Sequence, residues 1–146
     1  MKIISKCLLL FILLSVNALA GKEKFPIIPY PQSLTEGTGV FKIDASTTLF
    51  LPDNMKKEGQ LFQSYIKNMY GIDLTFAEAK APGNQISVRM SRMKGNDAYT
   101  LNVEPDQINI AVTSPAAVLY AFETLKQILP AARNFHPLNV PCVSIT

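Results

Sequence analysis

The sequence has no tryptophan, one histidine and two cysteines, and each shortage removes a class of chemistry. A zinc centre needs several His, Cys or carboxylate ligands converging on one point. His136 and the two cysteines cannot supply an ordinary set, so no metal and no other cofactor is expected; His136, followed by Pro137 in a loop, reads as a surface residue. A serine triad needs a histidine held between nucleophile and acid, and no Gly-x-Ser-x-Gly elbow is present. There is no glycine-rich phosphate loop either. Basic residues are scattered with no Lys/Arg block, so the electrostatic footprint of a nucleic-acid partner is missing. No apolar run is long enough to span a bilayer comfortably.

Paired carboxylates are the remaining catalytic device, because acid–base enzymes set two acids in different environments. None of the 11 Asp and Glu residues is adjacent to another in sequence. Asp53, Glu58, Glu104, Asp106 and Glu123 fall in turns or on wet helix faces, where solvation is the expected role. The sequence therefore offers no catalytic, cofactor-binding or metal-binding residue.

What is present begins with an address. Lys2 and Lys6 precede the apolar run Leu8 to Leu14, and Ala18-Leu19-Ala20 stands before Gly21. A basic start, a short apolar core and small residues two apart describe a secretory signal over residues 1–20, cut after Ala20, and hence a periplasmic or secreted protein. The mature part, 21–146, suffices for one domain, and loss of Lys2 and Lys6 brings its formal charge from +3 to about +1. Only Cys142 survives the cut, so no intrachain disulfide can form, and the residue reads as a buried thiol.

The mature chain is organised around Ala98 to Pro130. Tyr99, Leu101 and Val103 are answered by Ile108, Ile110 and Val112, a period of two that makes one greasy face on a hairpin turned at Glu104-Pro105-Asp106. Ser114 then offers a helix cap with Pro115 at the first helical position. Val118, Phe122, Leu125 and Leu129 form one apolar stripe, with Glu123, Lys126 and Gln127 on the wet side. Pressing the stripe onto the hairpin face buries both.

Upstream, Phe25 to Pro31 is a proline-punctuated extended leader, unable to form a helix. Two short strands follow, Val40 to Asp44 and Thr47 to Leu51. A helix over residues 55–70 comes next, with the stripe Phe62, Tyr65, Ile66, Met69, a cap at Asp53 or Asn54 and a stop at Gly71. Leu74 to Ala77 and Ile86 to Met90 are further strands, and Pro141 to Thr146 is the last. The order predicts an α+β two-layer sandwich, a mostly antiparallel sheet with both helices packed on one face.

Three stretches together resemble a known module. Pro29-Tyr30-Pro31-Gln32 with Gly39-Val40-Phe41, then Ala98-Tyr99-Thr100-Leu101 with Ile108-Asn109-Ile110, then Tyr120-Ala121 with Thr124-Leu125 and Gln127 are similar to the N-terminal, non-catalytic domain of glycoside hydrolase family 20. The resemblance covers Phe25 to Thr146. It implies the leading domain of an exported β-N-acetylhexosaminidase, an enzyme that removes terminal N-acetylhexosamine residues from glycans. Ala116-Ala117 stands where the family usually has glycine opening the second helix. The family continues into an Asp-x-Pro-Arg-Phe segment and a (β/α)8 barrel. There an adjacent Asp-Glu pair supplies the general acid and steers the substrate's own acetamido group. This sequence has no Asp-Glu dipeptide, so no catalytic residue carries over. The implied partner is the downstream barrel, docked through the leader and the surface near the second helix, and glycan is met only through it. Two alternatives stand beside this: a free-standing exported carbohydrate-binding or adaptor domain, and the leading domain of another glycosidase group, such as the α-glucuronidases or O-GlcNAcases.

Overall fold

The computed structural model describes residues 25–131 and 137–146. The expected signal over 1–20, the leader residues before Phe25 and the loop carrying His136 lie outside the described residues. The elements run β1 (Leu34–Ile43), β2 (Thr48–Phe50), α1 (Lys56–Tyr70), β3 (Thr75–Phe76), β4 (Gln85–Met90), β5 (Tyr99–Val103), β6 (Gln107–Val112), α2 (Pro115–Ile128) and β7 (Leu138–Ile145). Strands and helices come in the order read from the sequence, and they build one seven-stranded sheet in the order β1-β7-β5-β6-β4-β2-β3.

The central hairpin pairs Tyr99 with Val112, Leu101 with Ile110 and Val103 with Ile108, so its apolar residues share one face. α2 lies on that face. Val118, Phe122, Leu125 and Leu129 are all buried, and the Tyr99 and Thr124 hydroxyls share a 2.6 Å hydrogen bond across the layers. α1 lies on the same face over the far end of the sheet, where Gly59 is set against Leu51 and Phe76 and Gln63 Nε2 donates to the Leu74 carbonyl at 2.6 Å. Phe62 and Phe122 close the layer, stacked at 4.4 Å with their rings 8° from parallel. The architecture is thus the expected α+β two-layer sandwich.

Three details differ from the sequence reading. Antiparallel ladders join β1, β7, β5 and β6, and they make the longer part of the sheet; β6, β4, β2 and β3 are joined in parallel. In the β2–β3 pair the parallel direction follows from α1 as a crossover: the chain leaves β2, passes over one face as a helix and returns beside β2 in the same direction as β3. β1 is a ten-residue strand, its pairing interrupted by a bulge between Glu36 and Val40 that hides its alternation. Finally, α1 has no side-chain cap. Pro52 leads into a 3-10 turn over Asp53–Met55, and Asp53 pairs with Lys56 at 2.7 Å instead of capping. The stop is as expected, with Gly71 left-handed at φ 70°.

Two local predictions follow from these contacts. Ser114 Oγ accepts from the Ala117 N–H at 3.1 Å, so Ser114→Ala lowers unfolding free energy by about 1 kcal/mol in a urea titration. At the bulge, a Cβ on Gly37 would stand 2.9 Å from Cys142 Cβ and 3.2 Å from its carbonyl carbon, atoms that cannot swing aside. Gly37→Ala costs about 1–3 kcal/mol by the same measurement, as overpacking does.

Candidate functional site

The leader is fastened to α2. Phe25 and Ile27 are buried, while the Ile28 N–H donates to Gln127 Oε1 at 2.7 Å and Gln127 Nε2 donates back to the Ile28 carbonyl at 3.2 Å. This bidentate amide contact fixes the strip against the outer flank of the helix. Ile28 and Tyr30 are left 79% and 65% exposed.

On the other flank of α2 runs the seam with α1. Lys126 Nζ sits 4.7 Å from the centre of the Tyr65 ring and pairs with Glu123 at 2.6 Å. Phe62 meets Phe122 and Tyr65 meets Lys126, so the helices run parallel. Leu61, one turn before Tyr65, and Leu119, two turns before Lys126, therefore border the same seam from opposite sides. Both are exposed, as is Tyr120 beside them. The leader and the two helices thus leave Ile28, Tyr30, Leu61, Leu119 and Tyr120 as exposed large apolar side chains, and these make up the apolar band of the helical layer.

Where the leader leaves α2, a cavity of about 570 Å³ opens between Pro29, Tyr30 and Pro31 on one side and Met93, Tyr99 and Thr146 on the other. The opposite face of the sheet is polar. Glu104 Oε2 accepts from Asn109 Nδ2 at 3.2 Å, and Lys80 Nζ donates to Asn109 Oδ1 at 3.4 Å.

The titratable groups are arranged for structure. The Ser46 hydroxyl and backbone N–H, with the Asn84 amide, hold the Asp44 carboxyl below the usual carboxylate range and tie the β1–β2 turn to the start of β4. The Lys56 ammonium does the same to Asp53. Both shifts favour the ionised form, whereas a general acid at neutral pH needs the opposite. Burial, with a smaller contribution from Glu104, pushes the Cys142 thiol up, and the side chain lies under the β1 bulge, as a buried structural thiol does. Glu58 differs from the solvated role expected of it: one carboxylate oxygen, on the seam side of α1, is buried without a hydrogen-bond partner. Among the described residues no three His, Cys, Asp or Glu side chains converge as metal ligands would.

Ile28 and Tyr30 lie on the leader and Leu119 and Tyr120 on the second helix, the two elements expected from the sequence to meet a downstream barrel; Leu61 and Leu119 themselves are not singled out by the sequence reading. A signal was available for the second. Val118 to Phe122 is five apolar residues in a row, wider than the single stripe the sheet can cover.

A family model described as glycosyl hydrolase family 20, domain 2, matches residues 24–146. The β-hexosaminidase subunit A1 of Dictyostelium discoideum is 20% identical over 151 residues, covering 97% of this chain and 28% of that protein. Among solved structures, a mutant β-hexosaminidase of Streptomyces plicatus in complex with product superposes with a TM-score of 0.72 at 23% identity, over 82% of this chain and 25% of that one. The family 20 exo β-N-acetylglucosaminidase of Vibrio harveyi, in complex with N-acetylglucosamine, gives 0.71 at 19% identity, over 84% and 19%. The chain spans less than a third of the length of these relatives.

Proposed function

Because the chain belongs to the domain 2 family of glycosyl hydrolase family 20, we propose that it is the non-catalytic N-terminal companion of a β-N-acetylhexosaminidase barrel. The observation that carries this reading is the apolar band on the helical layer. The core of the sheet-and-helix sandwich is already covered, yet Leu61, Tyr120 and Ile28 keep half or more of their surface in water and Leu119 about a third. A second domain seated on the helices removes this surface from water, and the bidentate Ile28–Gln127 contact keeps its edge rigid beforehand. Hydrolysis of terminal N-acetylhexosamine residues then belongs to the barrel, and this domain touches glycan only through it. Residues 1–20 direct export, and the exported form begins at Gly21.

The deciding experiment is to read the gene and its transcript beyond the codon for Thr146. In-frame continuation into Asp-x-Pro-Arg-Phe and, later, an Asp-Glu pair is the expected result. A stop codon in expressed message would remove the companion role. Incubated with a nitrophenyl N-acetylglucosaminide, the 146-residue chain releases no nitrophenol above a protein-free control. In the two-domain protein, Leu119→Gln weakens the seating of the domains and exposes their junction to limited proteolysis, while the isolated domain loses no more than about 1 kcal/mol, glutamine being a comparable helix former without charge.

A further inference from the structure

We infer that the cavity beside the leader is a socket for one large apolar side chain carried by the segment that follows β7 in the two-domain protein. The inference rests on the companion-domain reading and adds where the first contact between the domains is made. The cavity's walls are fitted for such a side chain. Pro29 and Pro31 are stiff, Met93 is adaptable, and Tyr30 lines the cavity while staying largely exposed, although Phe25 and Ile27 of the same leader are buried.

The second observation is where β7 leads. Thr146 is itself a wall of the cavity and is pinned by two hydrogen bonds, Ser33 N–H to the Thr146 carbonyl and Thr146 N–H to the Ser33 carbonyl, both 3.0 Å. β7 runs antiparallel to β1 with Ser33 opposite Thr146, so residues that continue in this register stand opposite Gln32, Pro31 and Tyr30 in turn. The relatives are longer than the matched part, which covers 28% of one and 25% of another, so they carry chain beyond this domain.

A saccharide calls for several converging hydrogen-bonding groups on a rigid frame. Here the Tyr99 hydroxyl is committed to Thr124 and one Asp97 oxygen to the Ser114 hydroxyl, which leaves Gln32, Lys94 and Thr100 among the polar side chains of the wall and makes free N-acetylglucosamine the competitor the test must include. Lys94 and Asp97 at the rim balance in charge, which suits an entering peptide better than an ion of either sign.

The absence of tryptophan supplies a test in the chain as it stands. Gly/Ser tails carrying one tryptophan at the first, second, third or fourth position after Thr146 are appended, and emission and acrylamide quenching are recorded for each. In at least one register the emission moves to the blue and quenching falls several-fold, and both effects vanish with Tyr30→Ser, whose circular-dichroism melt matches the parent because Tyr30 supports no core contact. Water-like emission in every register overturns the inference, as does a buried tryptophan indifferent to Tyr30→Ser. So does displacement of the tryptophan by free N-acetylglucosamine, which would make the cavity a saccharide site. None of these results depends on the gene beyond Thr146 or on Leu119, so the socket and the companion role fail separately.

Discussion

Phe122→Ala lowers the unfolding free energy by about 3–5 kcal/mol, the range for removing a buried phenylalanine. The ring is 1% exposed and lies flat on Phe62 at 4.4 Å, so truncation loses apolar burial, a cavity's worth of dispersion and the stacking of the pair together. No neighbour can collapse into the gap cheaply: Phe62 belongs to α1, and α1 is held on its far side by Gly59 against Leu51 and Phe76. Since a domain of this size holds only about 5–15 kcal/mol, the variant stands near its unfolding threshold at 37 °C. Phe122→Leu keeps most of the volume and loses less than half as much. Urea titrations of both variants check the ordering. An alanine loss below about 1 kcal/mol would mean that the helices are not held by this stack.

The same pair explains how much of the fold could be read beforehand. Phe122 belonged to a stripe of period 3.6 and Leu101 to a strand of period two, and each period names a face without saying what lies opposite. Cross-layer partners came right because one hairpin face and one helix stripe leave a single economical packing. The parallel half of the sheet was not legible for a related reason. Thr48–Phe50 and Thr75–Phe76 are three and two residues long, too short to show a period, and their direction is set by the crossover of α1 over the sheet. β1 was underestimated because the bulge between Glu36 and Val40 breaks the alternation that would have revealed it.

The candidate face was half legible. Ile28 and Tyr30 alternate with the buried Phe25 and Ile27 out of step with the prolines, so an exposed edge on the leader was foreseeable. Leu61 looks like an ordinary helix residue until Tyr65 and Lys126 show which seam it borders. A docking surface is read from what remains after the core is assigned, and the core itself must first be placed in three dimensions. The asymmetry between the two sides of the sandwich is one of degree: the far face of the sheet, with Asn109 bonded to Glu104 and Lys80, exposes Val40, whereas the leader and helices expose Ile28, Tyr30, Leu61, Leu119 and Tyr120.

Raising the pH supplies the last large effect. Burial, with smaller contributions from Tyr65, pushes the Tyr70 phenol up from 10 to about 12. The side chain is only 4% exposed, and its hydroxyl donates to the Pro130 carbonyl at 2.8 Å, which the phenolate could not do. Between pH 10 and 12 the unfolded chain has released this proton and the folded one retains it, so stability falls as pH rises. The contribution is fully present below pH 10 and is lost through the folded value near 12. Two units correspond to an upper bound of about 2.7 kcal/mol. The Tyr65 ring meets Tyr70 edge-on at 6.3 Å, and the ion pairs Lys67–Asp73 and Lys126–Glu123 lie on the same two helices, so the contribution of Tyr70 has to be isolated by comparison with a variant that lacks only its hydroxyl. The measurement is therefore a difference: unfolding free energies of the parent and Tyr70→Phe at pH 9 and pH 11, with the ionic strength fixed. At pH 9 the phenylalanine variant is less stable by about 1 kcal/mol, having left the Pro130 carbonyl without its donor. By pH 11 the parent has lost that advantage and the order of the two is level or reversed. Parallel decline of both proteins would mean that Tyr70 titrates in the folded chain as it does in water, and that the bond to Pro130 is not kept in solution.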